Sequence, residues 1–387
     1  MISWMLMGFL GCQDDPASKP LPTCALEAPE PGVLRVEGTQ VLDEMDRLVT
    51  WRGINTGGRS KYAPYSPFSW DPGGFQEALD AYLDRTLDWG FDLLRVPFSW
   101  AAAEPEQGTW DSEWLDRYDA LLDGAWARGM WTIVDFHQDV YAEAFCGDGF
   151  PHWTLPADPG EARHDCPSWF TNYVLNDDVR QAFDWFWQDT YGARTAFGEM
   201  WDMMVARHAD RPGVVGFEII NEPSGGTMPS ADWEVEILSP FYTEMAARIQ
   251  GVDPDALVFF DSTGLQSAIA HVSLPRPQGD NLVFAPHFYD FGALFGGELS
   301  TDIAAGLGDW AAQGAEWDLP VLIGEFGIRA DNTQVESHAR VHYDAFDDLG
   351  MHGTWWEYSD SVDLWNEEDL SVLGPDGEER EAMLNGL

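Results

Sequence analysis

Short apolar runs recur along the chain, and each passes into a polar cluster. The runs are LVTWRGIN (48–55), DLLRVPFSW (92–100), WTIVDFHQD (131–139), VVGFEIINEP (214–223), ALVFFDS (256–262), LVFAPHFYD (282–290), PVLIGEFGI (320–328) and GTWWEYSD (353–360). Continuous apolar stretches of this length read as strands of a parallel sheet, buried on both faces. Amphipathic segments separate them, among them PGGFQEALDAYLDRTLDWG, DSEWLDRYDALLDGAWARG and ADWEVEILSPFYTEMAARIQ. These predict helices. The aromatic segment 178–209 predicts one extended or broken helix. Ahead of the first unit, VLRVEGTQVLDEMDRLVTWRGIN predicts a short β-hairpin leading into a strand. Eight strand-then-helix units predict an α/β fold, a (β/α)8 barrel.

In that fold the functional side chains gather where the strands end. Here the ends carry Arg95, His137-Gln138-Asp139, Asn221-Glu222, His287-Phe288-Tyr289, Glu325 and Trp356. One barrel mouth would collect them all. Glu222 and Glu325 stand 103 residues apart, so only the barrel can pair them. Hydrolysis of a glycosidic bond needs such a pair. One carboxyl protonates the leaving oxygen and the other attacks the anomeric carbon, and a separation of roughly 5–5.5 Å gives retention. The acid needs a raised pKa and the nucleophile must stay ionised. Tyr289 and Arg95 are placed to hold Glu325 as a carboxylate, and Asn221 to meet the sugar 2-hydroxyl.

Composition narrows the class. The 387 residues are 45% hydrophobic, enough for one large core. Against 67 acidic residues stand 20 basic ones, for a net charge of -47. Such a surface repels phosphate backbones, which excludes nucleic acid as a partner. It also suits a salty medium. Twenty Trp residues point weakly to carbohydrate, because an indole face stacks on sugar rings.

The N-terminus, MISWMLMGFLGC, is a short apolar run ending at Cys12. It resembles a bacterial lipoprotein signal, with Cys12 as the lipid-bearing residue and residues 13–31 as a flexible tether. Export to the cell envelope or beyond is expected, with membrane attachment through that lipid. The catalytic domain is then 32–387, and a monomer is expected. No later run has the 18 apolar residues of a membrane span. Cys146 and Cys166 bracket one stretch and, in an exported protein, are candidates for a disulfide. Neither CxxC nor HExxH occurs. A metal site from His137, Asp139 and His287 is conceivable by residue type, but a glycosidase role accounts for all three. No metal or organic cofactor is expected.

NEP at 221–223, GEFG at 324–327, HxY at 287–289 and the Trp of WEY at 356–358 together resemble glycoside hydrolase family 5, the cellulase-like clan. The resemblance runs from about 33 to 381. It implies that Glu222 is the acid/base and Glu325 the nucleophile. Asn221, Arg95, His287 and Tyr289 would support them, with Trp356 rather than Trp355 as the sugar platform. A finer match lies in DFHQDVYAEAFCGDGFPHWT (135–154), where HQDVY precedes a GDG-P-W element. It is similar to the endoglycoceramidase branch, as are GINTGGRSKYAPYSPF and LGPDGEER. That likeness implies His137, Asp139 and Lys61 as sugar contacts and a glycan–ceramide link as the target. Relatives of the branch include glucosylceramide and steryl glucoside hydrolases. Bacterial members continue into a C-terminal β-sandwich. This chain stops at Leu387, so no separate sandwich domain is expected. The alternatives are an endo-β-1,4-glucanase and, in a different class, a non-catalytic carbohydrate-binding protein, which would need neither carboxylate.

Overall fold

The computed structural model describes residues 32–156, 169–294, 297–299, 302–359, 368–374 and 376–385. Residues 1–12 with Cys12, expected to be a signal segment, residues 13–31, expected to be a tether, and Cys166 lie outside the described residues.

Three short strands open the chain: β1 (Arg35–Glu37), β2 (Gln40–Leu42) and β3 (Leu48–Val49), antiparallel in the order β1-β2-β3. The run 48–55 therefore serves two sheets. Leu48–Val49 closes the hairpin sheet, and β4 (Arg52–Asn55) begins the barrel. The other barrel strands are β5 (Leu93–Phe98), β6 (Trp131–Phe136), β7 (Val214–Glu218), β8 (Leu257–Phe260), β9 (Leu282–Phe284), β10 (Leu322–Phe326) and β11 (His352–Trp355). All eight pair in parallel, in the order β10-β11-β4-β5-β6-β7-β8-β9. A parallel bridge between Phe284 and Val321 joins β9 to the chain entering β10, so the ring closes.

Side chains alternate along each strand, and the two faces meet different neighbours. Leu94, Val134, Val258, Phe260 and Ile323 pack with helix residues in the main core. Leu93, Ile133, Leu257, Phe259, Val283 and Leu322 form a second cluster with Leu34, Val41 and Trp51. That cluster fills the barrel, and the N-terminal hairpin seals its lower end. Two residues further up the same inward rows stand Arg95, Asp135 and Asp261; His137 and His287 follow two residues beyond Asp135 and Ala285. The apolar plug thus gives way to charge at the strand C-termini.

The helices follow their patterns. Asp111 caps the helix Ser112–Trp126 by accepting from the Trp114 N–H, and Asp302 caps Ile303–Trp317 likewise through Ala305. The segment 178–209 is broken into Asp177–Trp187 and Ala193–His208. Between them Asp189 (φ 52°) and Gly192 (φ 74°) turn the chain, and Asp189 accepts from both the N–H and the hydroxyl of Thr195. Phe183, Phe186, Trp187, Phe197 and Trp201 of this pair are buried. Its aromatics are packing, as are most of the Trp residues: ten are buried, and none of the described ones is exposed. Among the described residues no helix is long and apolar enough to cross a membrane.

Candidate active site

Arg95, on the inner face of β5, organises the mouth. It is fully buried, and its guanidinium donates to both oxygens of Glu218 at 2.8 Å, to Asn55 and Asn221 at 2.9 Å, and to Glu325 Oε1 at 2.9 Å. Asp135 Oδ2 lies 3.1 Å away. Burial alone would weaken the cation, but Asp135, Glu218 and Glu325 outweigh it and hold the guanidinium charged. Tyr289 donates to the other oxygen of Glu325 at 3.0 Å. Glu325 thus receives two donors, one of them a cation.

Asn221 and Glu222 do not end a strand. β7 stops at Glu218, and NEP lies three residues beyond it. Neighbouring loops hold it instead. The Asn221 N–H donates to Phe136 O at 2.9 Å, and the Glu222 N–H to Asp261 Oδ2 at 2.9 Å. Gln138 Nε2 donates to the carbonyls of Asn221 and Glu222 at 2.9 and 3.0 Å. These bonds keep Glu222 at φ 38°, a left-handed conformation that costs a non-glycine residue about 1–3 kcal/mol. Asn221 Oδ1 is occupied by Arg95, and one amide N–H by Gln138 O, which leaves the second N–H for a ligand.

Glu222 differs from Glu325 in its surroundings. Burial, then the negative charge of Asp139, pushes its carboxyl up to about 7. Its Oε1 lies 2.8 Å from His287 Nδ1, which is also 3.4 Å from Glu325 Oε2. One oxygen of each carboxyl and one His287 nitrogen lie within 4.8 Å of one another. His287 itself is held neutral, with burial pushing it down to about 3. The same three residues, or Glu218, Asp261 and His287, have donor atoms close enough to ligate a metal. Both sets need His287, whose Nδ1 already faces Glu222.

Lys61, His137, Asp139 and Trp356 form the opposite wall. Lys61 bonds Asp139, and its ammonium lies 4.4 Å from the Trp356 ring centre and 5.5 Å from that of Trp169. His137 Nδ1 meets Asp135 at 2.9 Å, and its ring stacks on Trp356 with centroids 5.2 Å apart. Burial would lower His137, but Asp135 and Asp139 outweigh that and raise it to about 10, so it is cationic at neutral pH. Burial would raise Asp139, yet Lys61 and His137 bring it down. Trp356 is as buried as its neighbours in this wall, and its Nε1 donates to Glu368 at 3.2 Å. Trp355 lies in the core against Phe326. The GDG element has a steric reason. A β-carbon at Gly147 would lie 1.6 Å from Asp139 O, so only glycine lets this loop press on the HQD segment. Cys146, at its start, is disulfide-bonded.

Four further residues join the site, two of them, Asp135 and Gln138, from within the DFHQDVY stretch. Glu218 and Asp135 flank Arg95, Asp261 receives the Glu222 N–H, and Gln138 ties the NEP loop. Their signal is parity: Asp135 and Asp261 lie on the inward rows of β6 and β8.

Two carboxyls facing one another at the C-terminal mouth of a parallel eight-stranded barrel are the pair that glycosidic hydrolysis needs. The family model described as cellulase (glycosyl hydrolase family 5) matches residues 42–362, and the chain belongs to that family. Endoglycoceramidase I of Rhodococcus hoagii is 32% identical over 194 residues, which is 50% of this chain and 37% of that protein. Endoglucanase CelA of Streptomyces lividans is 27% identical over 340 residues, 85% of this chain and 57% of its own. The chain thus spans less than two thirds of the length of these curated relatives. Endo-glycoceramidase II from Rhodococcus sp., solved as a ganglioside GM3 complex, superposes with a TM-score of 0.74 at 25% identity, covering 89% of this chain and 80% of that one.

Proposed function

We propose that the protein is a retaining β-glycosidase acting on a glycolipid, with Glu222 as acid/base and Glu325 as nucleophile. The observation that carries the reading is the spacing and contrast of the two carboxyls. Oxygens of the two lie within 4.8 Å, in keeping with the short separation of retaining enzymes, roughly 5–5.5 Å between carboxyl groups. Glu222 is pushed up to about 7 and can carry a proton to the leaving oxygen. Glu325 faces Arg95 and Tyr289, donors suited to a carboxylate that must attack. Lys61, His137, Asp139 and Asn221 supply charged and amide groups for sugar hydroxyls.

The glycolipid substrate is supported by the likeness to endoglycoceramidases and by the HQDVY and GDG elements that meet across Gly147. A disulfide at Cys146 supports an exported protein, since such bonds persist in oxidising compartments. Lipidation at Cys12 and a monomeric state belong to the same proposal. The second reading is an endo-β-1,4-glucanase, favoured by the 85% of this chain that aligns with CelA. Hydrolysis of a ganglioside, glucosylceramide, a steryl glucoside and carboxymethyl cellulose separates them. Release of oligosaccharide from the ganglioside is expected, and cleavage of cellulose alone would overturn the glycolipid reading. A 2-fluoro glycoside should label Glu325, and a label on any other residue refutes its role.

A further inference from the structure

The loop after β8 carries a buried carboxyl, Asp261, on which Arg95 acts only from a distance. Asp261 is fully buried, and among the described residues no Lys or Arg ion pair reaches it. Its Oδ1 accepts from the Ser262 N–H at 2.5 Å and its Oδ2 from the Glu222 N–H at 2.9 Å. The same Oδ2 lies 3.4 Å from His287 Nε2, a buried nitrogen that has no hydrogen-bond partner among the described residues. We propose that Asp261 is a positioning residue for Glu222, holding it from two sides: at its backbone N–H and, through the His287 ring, at its carboxyl. This rests on the reading of Glu222 as the acid/base.

The tautomer of His287 follows from its neighbours. The ring is neutral and has one N–H. Nδ1 faces carboxyl oxygens of Glu222 and Glu325 at 2.8 and 3.4 Å; with the Glu222 acid proton on Oε2, both of these oxygens accept, which places the ring proton on Nδ1. Nε2 then has a lone pair and needs a donor. Burial, then the charges of Glu222 and Glu218, holds the Asp261 carboxyl well above the usual range. It therefore keeps its proton and can donate from Oδ2 to Nε2, while the same oxygen accepts from the Glu222 N–H. An ionised Asp261 would instead draw the ring proton to Nε2 and turn a lone pair on Glu222. The amide of Asp261→Asn cannot donate and accept through one atom, so it must give up one of the two links.

The test compares two β-lactosides with the same sugar. A phenyl leaving group needs protonation by Glu222, whereas 2,4-dinitrophenolate leaves without it. Asp261→Asn should lower kcat/KM on the phenyl glycoside by about 30-fold and on the dinitrophenyl glycoside by less than about threefold. Equal losses on both overturn the proposal. A second readout needs no turnover: the 13C-carboxyl titration of Glu222, assigned with Glu222→Gln, should move by at least about half a pH unit in Asp261→Asn. An unmoved midpoint overturns the proposal. The other charges acting on Glu222 (Asp139, Lys61, His137 and Arg95), and Glu218 beside Asp261, are unaltered in this variant. If the wild type cleaves neither lactoside, the titration alone decides the role of Asp261, and the four-substrate panel decides the glycosidase reading. Should Asp261→Asn not fold, Asp261→Ser, whose short hydroxyl cannot span both partners, takes its place in both measurements.

Discussion

Gly264 faces the carboxyl of Glu222 so closely that a β-carbon built on it would lie 2.3 Å from Oε2 and 2.7 Å from Cδ. The glycine is thus part of how the acid is placed. Its backbone lies outside the positive-φ region, so alanine costs little there conformationally. The conflict falls on the far end of a flexible side chain, which can swing away. Gly264→Ala should therefore leave the melting temperature almost unchanged. A displacement of about 1 Å at a reacting group can cost about 100-fold, and a loss of that order is expected in kcat/KM on unactivated glycosides. Full activity in Gly264→Ala would show that the Glu222 position seen here is not the working one.

The raised Glu222 fixes one limb of the pH profile. With the group pushed up to about 7, it holds its proton below that pH and loses it above. An acid must be protonated to act, so kcat/KM on a phenyl glycoside should fall about tenfold per pH unit above about 7. On a dinitrophenyl glycoside this limb should be absent. Glu222→Gln should cost about 10²–10⁴-fold on the phenyl substrate and remove the limb. A basic limb that survives in Glu222→Gln assigns the titration to another group.

Arg95 tests the buried network. Its removal leaves Glu218 and Glu325 without the cation they share, and Asp135 with His137 alone. Breaking a buried ion pair from one side costs about 3–5 kcal/mol. Arg95→Met should lose that much in urea unfolding, together with nearly all activity. Arg95→Lys should not rescue it, because one ammonium cannot replace a fork reaching Glu218, Asn221 and Glu325 at once. An unchanged unfolding midpoint in Arg95→Met would contradict the arrangement.

Much of the barrel was legible because strand burial leaves a direct trace. All eight apolar runs contain a strand, since both faces of a parallel sheet must be covered. The break in 178–209 was less legible, because Asp189 and Gly192 make it through a turn and not through proline. The residues gathered at the mouth were visible as polar ends of apolar runs. Asp261 was visible too, at the end of ALVFFDS, but its meaning depends on Glu222, 39 residues away in sequence. Gly264 carries no chemistry of its own, and only the fold shows what its missing side chain makes room for.

The disulfide at Cys146 offers a check on chain order outside the barrel. Cys166 is its expected partner, which would close a loop of about 20 residues and stabilise the fold by about 3 kcal/mol in the loop-entropy picture. Non-reducing digestion should yield one peptide pair joining Cys146 and Cys166. Cys166→Ser should leave the buried Cys146 thiol open to alkylation in denaturant without reductant, and lower the melting temperature. Protection of Cys146 in Cys166→Ser would assign the bond to another cysteine.

Glu357 gives the stability profile a sign of its own. It is buried, its Oε1 accepts from Ser359 at 3.2 Å, and its Oε2 has no hydrogen-bond partner among the described residues. Burial, then the nearby Glu368, pushes it up to about 8 from an ordinary value of 4.5. Between those two values the folded chain keeps a proton that the unfolded chain has lost. Folding stability should therefore fall as pH rises through that window, by roughly 1.4 kcal/mol per unit from this group, and level off above it. Glu357→Gln is neutral in both states and removes the slope. The variant should match the wild type near pH 5 and exceed it progressively towards pH 8. Urea unfolding at three pH values in this window reads the difference directly, and parallel curves for the two proteins would mean that Glu357 is ionised in the fold.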